Sequence, residues 1–247
     1  MDPKAYLLRL ISSLLFFVAL AHGNSSHSYL YHICEEGIFT SGSNYQINVN
    51  ILLFRQFYEN SATHFFYNAT VGEIPDQVHG LYLCRGDISG PDCKYCVDRA
   101  AQEVLIRRCR RRKNAMIWFE GCFIRYANSS FISKMDTESE HYIWSDKTVS
   151  EPLNAFDQAV TNMLRNLTGS ATYNPSKPNY AATEVRLNSL TLYGYVQCTP
   201  DVLESDCRSC LEKPVSSMFT RVQGKKWLQY LTPSCNLRYD IHPFTSL

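Results

Sequence analysis

The sequence predicts an α+β fold built twice: two helices over an antiparallel sheet, stapled by disulfides, and then the same unit again. Three observations predict it. Six of the ten cysteines form two copies of one spacing, Cys84-x8-Cys93-x2-Cys96 and Cys198-x8-Cys207-x2-Cys210, offset by 114 residues at every position. Neighbouring residues repeat with them: Gly80 and Gly194, Asp87 and Asp201, Asp92 and Asp206, and the closing Cys122-x2-Arg125-Tyr126 and Cys235-x2-Arg238-Tyr239. Helical and strand periodicities then succeed one another in the same order in each half.

Met1 to Ala21 reads as a signal peptide. Lys4 precedes an apolar run from Leu10 that ends in the small-x-small pattern Ala19-Leu20-Ala21. The run is about 12 residues, short of the roughly 20 needed to span a bilayer. Beyond it no stretch approaches membrane length, and the chain stops three residues after Phe244, so neither a transmembrane tail nor a lipid anchor is expected. Export to an oxidising compartment and an even thiol count make the cysteines covalent staples rather than reactive groups. Cleavage after Ala21 removes Lys4, Arg9 and Asp2 and leaves equal numbers of cationic and acidic side chains. No global charge therefore draws the protein to nucleic acid or to an anionic membrane. The remaining chain, roughly 225 residues, suits two domains of about 110.

In the first half, Ile47, Ile51, Phe54 and Tyr58 recur at helical spacing over Tyr45 to Asn60, with Leu52 widening the stripe. Thr63 to Val71 and Val78 to Cys84 read as strands, rich in aromatic and β-branched residues. Val97, Ala100, Ala101, Val104 and Leu105 give a second helix over Cys93 to Arg108, with Ser89 or Asp92 as its N-cap. Ala115 to Glu120 and Cys122 to Ala127 complete the half as strands around Gly121. In the second half, Phe156, Val160, Met163, Leu164 and Leu167 repeat the first helix after Glu151-Pro152. Strands are expected at Tyr180 to Leu187, Leu190 to Thr199, Lys226 to Leu231 and Asn236 to His242. Pro214, lacking an amide donor, is expected to end or kink the helix Asp206 to Phe219. The segment 131–147, acidic at Asp136, Glu138 and Glu140, reads as the linker between domains 27–130 and 148–244.

The second half has no counterpart of Cys34 or Cys109. A bond between these two explains their joint absence, since losing one bonded partner alone would leave a free thiol. Pairing of the other eight is not determined by the residues alone.

The doubled C-x8-C-x2-C, the repeated glycine before it and the closing Cys-x2-Arg-Tyr resemble plant cysteine-rich repeat secretory proteins. Those are built from domains similar to the ginkgo seed antifungal protein ginkbilobin, and the likeness covers about residues 27–244. The resemblance implies five strands and two helices per domain, with bonds Cys84–Cys93, Cys96–Cys122, Cys198–Cys207 and Cys210–Cys235 beside Cys34–Cys109. It also implies kinship with the ectodomains of cysteine-rich receptor-like kinases and plasmodesmata-located proteins. In the ginkgo protein mannose is held by an Asn after the first cysteine, an Arg six before the last and a Glu five after it. The matching positions here are Glu35, Met116 and Ala127 in the first half, and Gln229 and Asp240 in the second. A methionine cannot replace a guanidinium in a network of sugar hydroxyls, so mannose binding there is not expected.

Six cations crowd around Cys109: Arg107, Arg108, Arg110, Arg111, Arg112 and Lys113. They suit an acidic polymer such as a pectic polysaccharide, or anionic lipid heads; the plainer reading is a solvated helix end where cations favour the dipole. Arg85-Gly86-Asp87 matches an adhesion tripeptide but reads as turn chemistry. Asn24, Asn68, Asn128 and Asn166 begin Asn-x-Ser/Thr sites for N-glycosylation. No H-E-x-x-H, G-x-S-x-G or phosphate-binding glycine loop is present, and scattered histidines form no ligand spacing, so neither an enzyme nor a cofactor nor a metal site is expected. The expected role is a secreted non-catalytic module of the apoplast. Its ligand is cell-wall or microbial carbohydrate in plant defence or, alternatively, the protein surface of a related receptor ectodomain.

Overall fold

The computed structural model describes residues 28–173 and 179–245, so the signal-peptide reading and Asn24 lie outside it. Strands β1 (Tyr29–Cys34), β2 (Phe66–Val71), β3 (Val78–Cys84), β4 (Ala115–Phe119) and β5 (Cys122–Ala127) form an antiparallel sheet in the order β1-β4-β5-β3-β2. Strands β6 (His141–Trp144), β7 (Tyr180–Leu187), β8 (Leu190–Cys198), β9 (Trp227–Leu231) and β10 (Cys235–Asp240) form a second sheet in the order β6-β9-β10-β8-β7. The two orders are identical once each strand number is shifted by five. The duplication read from cysteines is thus a duplication of topology.

The opening strand of each sheet is what periodicity did not reveal. All six residues of β1 are half-buried, so it shows no in-out alternation to read. Strand β6 is four residues long and pairs with β9 from inside the acidic segment 131–147. The second sheet therefore begins within the stretch that composition marks as a linker.

Two helices cover one face of each sheet. Helix α1 runs Asn44–Ile51, continues as a π-helical stretch Leu52–Phe57 and ends with Tyr58–Asn60. Ser43 caps it by accepting from the Gln46 amide. Its buried side is Tyr45, Val49, Leu52, Leu53 and Phe57, whereas Ile47 is 50% and Tyr58 41% exposed. Of the expected stripe, Leu52 is buried and Ile51 and Phe54 pack against the core at its margin, but Ile47 and Tyr58 lie outside it, so the stripe is rotated from the side that packs on the sheet. Apolar residues fall on more than one side of this helix, so two phases look alike, and the wider π turn moves the stripe further. Helix α2 runs Gly90–Gln102 and extends as a π-helical stretch Glu103–Arg108, capped by Ser89, with Val97, Ala100, Ala101 and Val104 fully buried.

Helix α3 (Leu153–Tyr173) buries Phe156, Val160, Met163, Leu164 and Leu167 as the spacing predicts. Helix α4 (Glu204–Arg221) continues through Pro214, so of the two expected outcomes the proline does not end it. Disulfides Cys198–Cys207 and Cys210–Cys235 hold its first turns, while Leu211, Val215 and Met218 bury against the core on either side of the proline. That burial outweighs one missing backbone hydrogen bond.

The repeated glycine now has a cause. A Cβ on Gly80 would lie 2.5 Å from Leu52 and 3.1 Å from Phe57; one on Gly194 would lie 2.6 Å from Met163 and 3.3 Å from Leu167. In both halves the first helix sits so close to one strand of its sheet, β3 or β8, that a side chain beneath it must displace its neighbours. Cys34–Cys109, Cys84–Cys93 and Cys96–Cys122 staple the first module, and no free cysteine remains among the described residues. Cys34–Cys109 ties β1 to the end of α2, a span of 75 residues that the second module leaves unlinked.

Candidate functional site

Side chains alternate across a strand, so the residues between those facing the helices must face something else. In the first sheet these are Leu81, Met116, Trp118, Phe123 and Ala127. Together with Phe131 and with Leu231 of the second sheet they form a third apolar core, between the modules. Trp118 stacks on Phe123 at 4.7 Å, and Tyr31 of β1 stacks on His141 of β6 at 3.6 Å. The two helix-free faces are turned towards each other.

The second sheet meets this apolar face with polar groups, several of them paired. Gln197 donates to the Cys84 carbonyl at 2.9 Å, and Gln229 to the Tyr195 hydroxyl at 3.2 Å. Arg238 bridges Glu120 of the first module at 2.5 Å and Asp240 of its own strand at 2.8 Å. Arg85 pairs with Asp87 and donates to the carbonyls of Glu120 at 3.1 Å and Phe244 at 3.0 Å. Burial pulls the Arg85 guanidinium down, but the hydrogen bond and charge of Asp87 more than offset it. Arg238 behaves likewise between Glu120 and Asp240, so both end above the ordinary arginine value. Arg85-Gly86-Asp87 is thus more than a turn: with side chains only 6% and 3% exposed, its charged pair is a clamp between modules that no adhesion receptor reaches. A Cβ on Gly86 would meet the Tyr180 ring at 2.5 Å.

Four positions that the ginkbilobin likeness ties to sugar lie in this contact. Met116 is 1%, Ala127 7%, Gln229 2% and Asp240 4% exposed. The cavity left between the sheets, lined by Trp118, Tyr195, Gln197, Gln229 and Asn236 among others, is about 20 Å³. That admits about one water and no sugar ring. Glu35, the fifth position, stands apart at the end of β1, its carbonyl near Arg112.

Outside the contact the basic run surrounds the Cys109 turn. Arg107 and Arg108 share the buried carboxylate of Glu103 at 2.8 and 3.3 Å, and Arg108 lies 4.1 Å over the Tyr29 ring. Arg110 donates to the Ile106 carbonyl; Arg111 holds a left-handed φ of 57°. Among the described residues no carboxylate is in ion-pair range of Arg110, Arg111 or Arg112. Ile38 and Ile106 are exposed beside them, at 61% and 52%. Asn68 on edge strand β2, Asn128 after β5 and Asn166 on α3 all face solvent, as a glycan acceptor must. Among the described residues the one trio spaced for a metal is His32, Cys34 and Cys109, whose two sulfurs are bonded to each other.

A feature without a sequence signal is a groove of about 350 Å³ between α3 and α4, lined by Arg165, Thr168, Gly169, Arg208, Glu212, Val215 and Ser216. The residues come from two distant segments, so only the packing of the helices reveals them.

The sequence pattern of the salt stress response/antifungal family matches residues 33–129 and again 144–242. The chain belongs to this family. Cysteine-rich repeat secretory protein 38 of Arabidopsis thaliana is 35% identical over 223 residues, which cover 90% of this chain and 87% of that protein. An antimicrobial ginkbilobin-2-like protein of Castanea crenata is 34% identical, with 95% of each chain covered. The chain also matches 35% of the length of cysteine-rich receptor-like protein kinase 25 of Arabidopsis thaliana, at 32% identity. In three dimensions it is similar to the tandem DUF26 ectodomain of the Arabidopsis thaliana cysteine-rich receptor-like protein PDLP8, with a TM-score of 0.76 at 26% identity over 88% of this chain and all of that one. In this stress-antifungal pair, no helix among the described residues is long and apolar enough to cross a membrane.

Proposed function

We propose that the protein is a secreted, non-catalytic binding module of the plant apoplast that holds acidic cell-wall polysaccharide. It would carry its ligand on the outer surface and N-glycans at one or more of Asn24, Asn68, Asn128 and Asn166. One observation carries the reading: Arg110 and Arg111 of the basic run are exposed at the Cys109 turn, with no carboxylate in ion-pair range among the described residues. The face that corresponds to a mannose site is meanwhile consumed by the contact between modules. Cations at fixed spacing on a disulfide-anchored turn suit a chain of carboxylates, and salt weakens such attraction. The relatives named as secretory proteins support export, and the resemblance to an antimicrobial protein supports a role in defence.

The test is retention on polygalacturonate against neutral mannan. Binding to the acidic polymer alone is expected, falling with salt, and falling further in the double variant Arg110→Gln/Arg111→Asn; Asn suits the left-handed backbone at position 111. Equal retention on both polymers, or no effect of the two substitutions, refutes the reading. The likeness to a receptor-like ectodomain favours a second reading, in which the same outer surface docks on a related ectodomain. In that case neither polymer is retained, and immobilised ectodomain captures the protein.

A further inference from the structure

The groove between α3 and α4 has the chemistry of a site. We propose that it binds one carboxylated sugar residue, a hexuronate, through the guanidinium groups of Arg165 and Arg208, which both line it. The proposal rests on the carbohydrate reading above but concerns a different surface, on the second module and remote in sequence from the Cys109 turn.

Arg208 is oriented within the groove. It donates to the Thr172 hydroxyl at 3.1 Å and approaches Glu212 at 3.9 Å. Arg165 is exposed on the facing helix, and among the described residues no carboxylate is in ion-pair range of it. Two cations against one carboxylate leave the lining with an excess positive charge, which one ligand carboxylate complements. Guanidinium is the group best shaped to grip it. Glu212 and Ser216 supply an acceptor and a donor for ring hydroxyls, and Val215 with Gly169 supplies an apolar patch for a C–H face. A volume of about 350 Å³ lies at the small end of ligand sites, the size of a sugar ring with some solvent rather than of a bare anion.

The first module shows why the groove is open only here. The residue matching Arg208 in the cysteine motif is Lys94, and its ammonium sits 3.9 Å from the ring of Tyr58 on the facing helix. There the cation already has an aromatic partner. In the second module the facing helix carries Gly169, where an added Cβ would meet nothing within 4 Å. A helix-interior glycine is unfavourable by itself, and this one creates space.

That space supplies a clean test. Gly169→Leu fills the groove with no backbone conflict and raises helix propensity, so the variant should fold at least as well. Galacturonic acid, galactose and inorganic phosphate are titrated into protein carrying Asn166→Gln, which removes a glycan next to Arg165. Galacturonate is expected to bind at least ten-fold more tightly than galactose, and phosphate to compete only weakly. Gly169→Leu should abolish the binding and Arg165→Gln should weaken it at least ten-fold, with melting temperatures retained. Arg110→Gln/Arg111→Asn should leave it unchanged while lowering retention on the polymer, so failure of either site is seen separately. Galacturonate binding that matches galactose, is absent, or survives Gly169→Leu overturns the proposal. Phosphate binding as tight as galacturonate overturns it as well, since the groove would then be an anion site only.

Discussion

Arg238 offers the sharpest test that the two modules form one unit. Its guanidinium is 12% exposed, paired with Glu120 across the contact and with Asp240 beside it, and covered by the Phe244 ring at 4.3 Å. Arg238→Met keeps much of the side-chain volume but leaves two hidden carboxylates facing each other with no cation. Removing one partner of a buried ion pair typically costs about 3–5 kcal/mol, and the slight exposure here puts the expectation at about 3 kcal/mol. Glu120→Gln is milder, about 1–2 kcal/mol, because Asp240 still neutralises the arginine. The double variant should cost less than the sum, by more than about 1 kcal/mol, since the two residues share one network. Urea unfolding reads this out with two probes: fluorescence, to which Trp118 between the sheets contributes, and far-ultraviolet circular dichroism, which reports both modules. Arg238→Met should move the fluorescence transition to lower urea than the dichroism transition, as the contact opens before the modules unfold. Additive costs, or a loss below about 0.5 kcal/mol for Arg238→Met, refute the view that this pair holds the modules together.

Gly80→Ala should cost about 1–3 kcal/mol, because Leu52 and the Arg125 carbonyl crowd the new methyl, while Gly194→Ala should cost less than about 1 kcal/mol, because the nearest atom is the mobile end of Met163; urea midpoints decide. Replacing Cys34 and Cys109 by alanine should cost about 4.5 kcal/mol from loop entropy over a 75-residue span, and replacing Cys84 and Cys93 about 2.5 kcal/mol over nine; thermal melts that reverse this order contradict it. Burial lowers the pKa of His32, His79 and His141, so the unfolded chain takes up protons first and stability falls as pH drops through about 6.5; His141→Phe, which keeps a ring on Tyr31, should flatten the difference between urea midpoints at pH 7.5 and 5.5. Met116→Arg with Ala127→Glu restores two sugar-binding residue types to positions that are buried here, so calorimetry with mannose should show no binding and melting should show a less stable protein.

The duplication was legible because each repeated residue answers to one local constraint. A cysteine must meet a cysteine, a glycine must lie under a helix, and both recur at one offset. Helix α3 was legible because its large apolar residues fall on one helical stripe with mainly polar residues off it, whereas α1 has apolar residues on both sides and a π turn that shifts its phase. The first strand of each sheet escaped because half-buried edge residues do not alternate. Pro214 misled for a related reason: a local rule about one lost hydrogen bond was set against tertiary burial that the sequence does not display.

The contact between modules was the hardest part to read, and it governs the functional conclusion. A strand with apolar residues on both faces, such as β4 (Ala-Met-Ile-Trp-Phe), announces burial on both faces but not by what. The second sheet gives no such signal, since its matching face carries Gln197, Gln229, Arg238 and Asp240, which look like a solvated surface or a ligand site. Gln229 is paired with Tyr195 of its own sheet, but only when the sheets are set face to face do Gln197 and Arg238 find Cys84 and Glu120 as partners. Joining two such modules in this way has a cost for each: the helix-free face of both is no longer free to bind. A ligand must then be met on the outer surface, where the two sites proposed above are the cationic turn of the first module and the helical groove of the second. These two surfaces differ between the modules although the folds do not. Shared residues maintain the scaffold, and the unshared ones, Arg110 and Arg111 on one side and Gly169 with Arg165 on the other, are where binding specificity has room to arise.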